Sequence, residues 1–204
     1  MNLVDVFMRC DTFEMTKVKY PAATVLLDLT ANEQCIEKVA KLILQKEMLP
    51  VVVSELKQFI NLKVPKQAAN RVFLTRYRDL MIGIILNLTC NVESEEITKY
   101  MVVEMDIMQL LIQILVDPRH DWPTNGAALA LLQYSHSALS NQWCFDRLAE
   151  HRVYDTAFTF VNICTNRETK KHLYELLTLL CVSKQKMESI RLVMKEEKKY
   201  AVAG

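Results

Sequence analysis

Glycine is nearly missing. The 204 residues hold three, Gly83, Gly126 and Gly204, beside five prolines. Sandwiches, barrels and dinucleotide-binding folds need glycine at tight turns and phosphate loops, so the composition argues against each of them. An excess of either charge is missing too: 25 Lys and Arg balance 24 Asp and Glu for a net +1. No overall field draws nucleic acid or an anionic membrane. No apolar run reaches the ~20 residues of a membrane span. The opening "MNLVDVFMRC" lacks the basic stretch and long apolar core of a signal peptide. A cytoplasmic or nuclear chain is therefore expected. Its six cysteines form no CxxC pair and none has zinc-ligand spacing to a histidine, so they read as small buried thiols in a reducing compartment. Asn87-Leu88-Thr89 fits the glycosylation pattern, but it sits in an apolar helical stretch of a chain expected to be cytosolic and is discounted.

What is present is a repeat. "LLDLTAN" (Leu26 to Asn32), "ILNLTCN" (Ile85 to Asn91) and "LLQYSHS" (Leu131 to Ser137) line up, with a weaker copy, "LTLLCVS", from Leu177 to Ser183. Their starts are 59, 46 and 46 residues apart. An acidic helix end follows each copy, at Glu47, Glu104, Glu150 and Glu196, spaced by 57, 46 and 46 residues. Periods of about 40–47 residues are those of two- and three-helix repeats. Apolar spacing supports helices. Ile107, Leu110, Leu111 and Ile114 fall at i, i+3, i+4 and i+7, as do Ile36, Val39, Ala40 and Ile43. Asn32, Ser94 and either Ser140 or Asn141 are placed as N-caps, with Glu95 and Glu96 in a first turn. The longer first interval carries about 13 extra residues around Pro65, read as a long connection or a short extra helix. "VDPRHDWPTNG", Val116 to Gly126, reads as a firm loop.

The stretches "IILNLT…MVVEMDIMQLLIQIL" and "LLDLT…LILQKEMLPVVVSEL" resemble the armadillo superfamily over about residues 20 to 200. The resemblance implies an all-α protein, a right-handed α-solenoid of about four armadillo-like repeats. Residues 1–204 would form one domain, with copies near 20–60, 78–118, 124–164 and 170–200 and an insertion at about 61–76. The family's turn glycines are replaced by Met48, Met105 and His151. The turns are thus expected to form without the easy positive φ that glycine provides.

No catalytic motif is present: no GxSxG, no HExxH, no EF-hand loop. The histidines, His120, His136, His151 and His172, lie far apart in sequence and read as helix-end residues. Cys144 has no base at fixed spacing and reads as core. We therefore expect no enzyme, no cofactor and no metal site.

Solenoids mostly bind proteins. In the family the sequence resembles, an asparagine in "LxNL" holds the backbone of an extended peptide, because an amide both donates and accepts. Position by position, the resemblance places that role on Asp28, Asn87 and Gln133, and the fourth copy offers only Leu179 or Thr178. Arg71, Arg76 and Arg78 enter the second copy and could edge such a surface toward an acidic peptide, though a solvated connection is the plainer reading. The implied function is a non-catalytic scaffold or adaptor, like short adaptor members of that superfamily, binding a segment of a larger partner on its concave face. The alternative is a structural module that associates through apolar ends, forming a homodimer or pairing with a partner. "MNLVDVFMRC" and "SIRLVMKEEKKY" are the ends in question, and ten methionines add adaptable apolar surface. Near-neutral charge and sparse aromatics make nucleic acid a poor partner.

Overall fold

A computed structural model describes residues 19–45, 47–61, 71–92, 94–117 and 121–202. Among these residues every regular element is a helix and none is a strand. In chain order they are α1 (Tyr20–Ala31), α2 (Ile36–Gln45), α3 (Met48–Asn61), α4 (Arg71–Asn91), α5 (Glu95–Lys99), α6 (Ile107–Leu115), α7 (Asp121–Ala138), α8 (Gln142–Glu150), α9 (Val153–Ile163) and α10 (Arg167–Val202). A π-helical turn, Tyr100–Glu104, continues α5. The chain divides into two compact units, Met1–Ala130 and Leu131–Gly204. The first holds α1 to α6 and the start of α7. The second holds the end of α7 with α8, α9 and α10.

A triplet recurs: the helix carrying the repeated motif, a second helix, then a third. It occurs as α1–α2–α3, α4–α5–α6 and α7–α8–α9, and α10 opens a fourth copy. In α2, Ile36, Ala40 and Ile43 form the buried stripe. In α6, Ile107, Met108, Leu110, Leu111, Ile114 and Leu115 are all buried, so that helix is covered on more than one side. In the first unit α1 packs on α2 and α4, and α3 packs on α2, α4 and α6. In the second, α9 packs on α8 and α10.

Each turn between second and third helix is made by a non-glycine residue in the left-handed region. These are Glu47 (φ 52°), Asp106 (φ 52°) and Arg152 (φ 53°). They lie 59 and 46 residues apart, in register with the repeated motif. The turns take positive φ all the same, at residues other than glycine. The reversal between two packed helices demands that backbone whichever residue stands there. An L-residue pays roughly 1–2 kcal/mol for it, less what glycine would lose in the unfolded chain. Glu47 is exposed, so Glu47→Gly should raise stability by up to about 1 kcal/mol. The urea midpoint checks this, and an unchanged or lower midpoint contradicts it.

The loop expected at Val116 to Gly126 is mostly helix. α7 begins at Asp121 and takes in Pro123, Asn125 and Gly126. Residues 118–120 and the side chain of Trp122 lie outside the described residues. Proline fits because the first turn needs no N–H donor. Pro21 and Pro50 occupy the first turns of α1 and α3 in the same way. Gly126 serves a close approach: a Cβ there would run into Leu86 Cδ1, with Leu86 Cγ only 3.4 Å away.

Of the expected caps, Asn32 performs, its Oδ1 accepting from the Gln34 N–H at 2.9 Å. Ser94 and Asn141 stand at N-cap positions without a side-chain capping bond. The cap that sequence reading missed is Asn166, whose Oδ1 accepts from the Thr169 N–H at 3.0 Å and Oγ1 at 3.2 Å. α10 runs through the place of the fourth second-to-third turn without a break. The expected insertion falls mainly on residues 62–70, which lie outside the described residues.

Candidate interaction site

The residues singled out for peptide binding differ in their surroundings. Asp28 on α1 is exposed, as is Gln133 on α7. Asn87 on α4 is half-buried. Its Nδ2 donates to Thr30 Oγ1 at 3.2 Å and to the Leu27 carbonyl at 3.4 Å. Its donors are thus directed at α1 of its own unit. Arg76 is exposed, while Arg78 is buried with its guanidinium on Asp79 Oδ1 (Nη2 2.8 Å, Nε 3.2 Å). Arg78 therefore offers little to a partner. The side chain of Arg71 lies outside the described residues. Asp28, Asn87 and Arg76 belong to the first unit and Gln133 to the second.

What repeats inside the motif is a buried hydroxyl two residues past Asp28, Asn87 and Gln133. Thr30 Oγ1 donates to the Leu27 carbonyl (3.0 Å), Thr89 Oγ1 to Ile85 (2.9 Å) and Ser135 Oγ to Leu131 (2.7 Å). All three are buried. The signal was in the sequence, since the motif reads Thr, Thr, Ser at one register while its third position varies among Asp, Asn and Gln. Removing Asn87's two inter-helix donors with Asn87→Ala should cost about 1–2 kcal/mol. Urea unfolding would show the lowered midpoint at an unchanged m-value; a change of only a few tenths would mean α1 and α4 are not tied there.

Cysteine placement is mixed. Cys144 and Cys164 are buried, Cys35 and Cys90 half-buried, and Cys181 exposed, which corrects the uniform reading of buried thiols. Burial raises the Cys144 thiol to about 12 and Cys90 to about 11. Cys144 Sγ also donates to the Tyr134 carbonyl at 3.2 Å. Thiols held protonated in this way are poor nucleophiles. His136 is exposed and His172 half-buried, and His120 lies outside the described residues. Among the described residues no group of three or more His, Cys, Asp and Glu is placed to hold a metal. No helix there is long and apolar enough to cross a membrane.

The second unit holds a cleft of about 540 Å³ between α8, α9 and α10. Phe145, Leu148 and Leu180 give it an apolar floor, and no histidine lines it. Its rim carries Arg152 and Asp155, joined Nε to Oδ2 at 2.9 Å, and Lys184 and Glu188 one turn apart on α10. The rim thus balances two cations with two anions. Tyr154 and Cys181 meet across the cleft. Their hydrogen bond, and then the charge of Cys181, hold the Tyr154 hydroxyl above its usual range. Beyond them Tyr154 stacks on Phe158, centroids 6.3 Å apart and planes 8° from parallel. Tyr174 stands on the same face of α10 as Cys181, two turns away.

Sequence reading passed over this face because an apolar pattern does not distinguish a covered position from an open one. The register shows it. Tyr154 is the counterpart of Leu49 and Met108, and Tyr174 of Ala23, Ile82 and Ala128, all of them buried. Phe158 is the counterpart of buried Val53 and half-buried Ile112. On α9 and α10 the three aromatics are open to solvent: Tyr154 42 %, Phe158 56 % and Tyr174 58 %. Leu49 and Val53 belong to α3, which α6 of the next copy covers. A floor of this chemistry, rimmed by balanced charge, suits the apolar ridge of a helix. The chain matches no protein-family model, no curated protein and no solved structure.

Proposed function

We propose that this chain is a non-catalytic interaction module, a short α-solenoid of armadillo type. It holds a helical element of another chain on the outer face of α9 and α10. One observation carries the reading: Tyr154, Phe158 and Tyr174 are exposed at register positions whose earlier counterparts are almost all buried. Scattered exposed apolar residues need no explanation. Three aromatics on one face, at positions that elsewhere in the chain are packed against helices, form a surface suited to a partner. The cleft beside them adds a recess for one or two apolar side chains. The repeated triplets and their common left-handed turn support the solenoid assignment. Asn87 already spends its donors on α1, so the partner surface is assigned to α9 and α10 rather than to an amide ladder.

The test is capture on immobilised chain, wild type against Phe158→Glu and Tyr174→Glu. The reading expects proteins retained by the wild type, a differently tagged copy of the chain included, to be lost from both variants. The same set retained by all three would sink it.

A further inference from the structure

We infer that the α9–α10 face receives a second copy of this chain in a two-fold pairing; this rests on the interaction reading above. Within the first unit the register positions exposed here are covered by helices of the chain's own next copy: α4 lies on α1, and α6 lies on α3. A helix is the kind of element these positions receive in the earlier copies. The substitutions set this face apart from them. Tyr174 stands where Ala23, Ile82 and Ala128 stand in earlier copies. A large aromatic protrudes where tight stacking of another repeat calls for a small or aliphatic residue. Protruding aromatics beside an apolar recess suit a face that meets itself, ring of one molecule into the cleft of the other.

Charge agrees. A two-fold axis presents Arg152, Asp155, Lys184 and Glu188 to the same four residues of the second copy. Two cations and two anions can pair under that rotation. A strongly acidic or basic partner would gain nothing from such a rim. The net charge of +1 sets up almost no repulsion between copies. Area sets the strength. α9 is 11 residues long, about 16 Å. With α10 beside it, the face is smaller than the ~800 Å² per partner of a standard interface. A dissociation constant of roughly ten to a hundred micromolar is expected.

The experiment is sedimentation velocity of the full chain from a few to a few hundred micromolar. In parallel, mass-spectrometric mapping follows maleimide labelling of Cys181, which sits in the cleft. Wild type should shift from monomer to dimer across that range, and Cys181 labelling should slow several-fold as it does. Phe158→Glu and Tyr174→Glu should each stay monomeric, with wild-type helicity and rapid Cys181 labelling at every concentration. Both positions are exposed, so neither substitution disturbs the core. A monomer at all concentrations overturns the inference, and so does a dimer untouched by both substitutions. A wild-type monomer that still captures another protein in a Phe158-dependent way overturns the second copy alone. Loss of both self-association and face-dependent capture overturns the interaction reading with it.

Discussion

Replacing Gly126 with valine should cost about 2–3 kcal/mol and lower the Tm by roughly 5–10 °C for a chain of this size. Gly126 sits inside α7, where its backbone comes against the buried Leu86 of α4. Helix propensity alone would reward the change. Alanine gains about 1 kcal/mol over glycine in a helix interior, and valine a few tenths. Close packing opposes it, because any Cβ at this position enters the space of Leu86 Cδ1. Leu86 is 6 % exposed, so its side chain has little room to turn away, and overpacking of this kind costs about 1–3 kcal/mol. The two effects nearly cancel in Gly126→Ala, and packing wins in Gly126→Val. A double-mutant cycle isolates the contact. Leu86→Ala opens the space, so Gly126→Val should cost less in that background by about 1 kcal/mol or more. Equal costs in both backgrounds would show that Leu86 is not what glycine makes way for.

Alkaline pH should weaken the fold by about 3 kcal/mol between pH 8 and pH 10 through two thiols, Cys144 and Cys90. Burial raises their folded values from the ordinary 9.0 to about 12 and about 11. Below pH 9 the thiols are protonated in both states, and their contribution is fully present. Above pH 9 the unfolded chain ionises while the folded thiols hold their protons. Stability is then lost progressively as pH climbs toward the folded values. At pH 10 the gap is worth about 1.4 kcal/mol per thiol. Cys144 is the more deeply buried of the two and keeps losing stability to higher pH. Denaturant midpoints in reducing buffer at pH 8, 9 and 10 measure the slope. The Cys90→Ala, Cys144→Ala double variant should keep only the part of the slope due to other groups. A slope equal to that of the wild type would rule the thiols out as its source.

Helical class was legible in the sequence because apolar spacing reflects burial, and burial within a helix is set by local periodicity. Ile36, Ala40 and Ile43 read correctly for that reason. What escaped was set by neighbours in space. Asn87 looked free to face a groove because its motif resembles one that grips a peptide, yet α1 lies close enough to take both its donors. Asn125-Gly126 and Pro123 carry turn chemistry, but here one glycine answers a helix crossing and one proline a first turn. The left-handed turns at Glu47, Asp106 and Arg152 carry no residue signature at all. Only their common register betrays them. The aromatic face escaped for the opposite reason: Tyr154, Phe158 and Tyr174 obey the apolar pattern, and sequence cannot tell a covered apolar position from an open one.

The hydroxyls of Thr89 and Ser135 each lean back on a carbonyl four residues earlier, and Thr30 on one three residues earlier. Hydroxyls placed in this way compete for a carbonyl of the helical ladder, and such back-bonds often bend a helix. Because the three hydroxyls hold one register, α1, α4 and α7 carry the bond at matching points near their C-terminal ends. Val or Ala at one of them removes the bond from one helix and leaves it in its sisters.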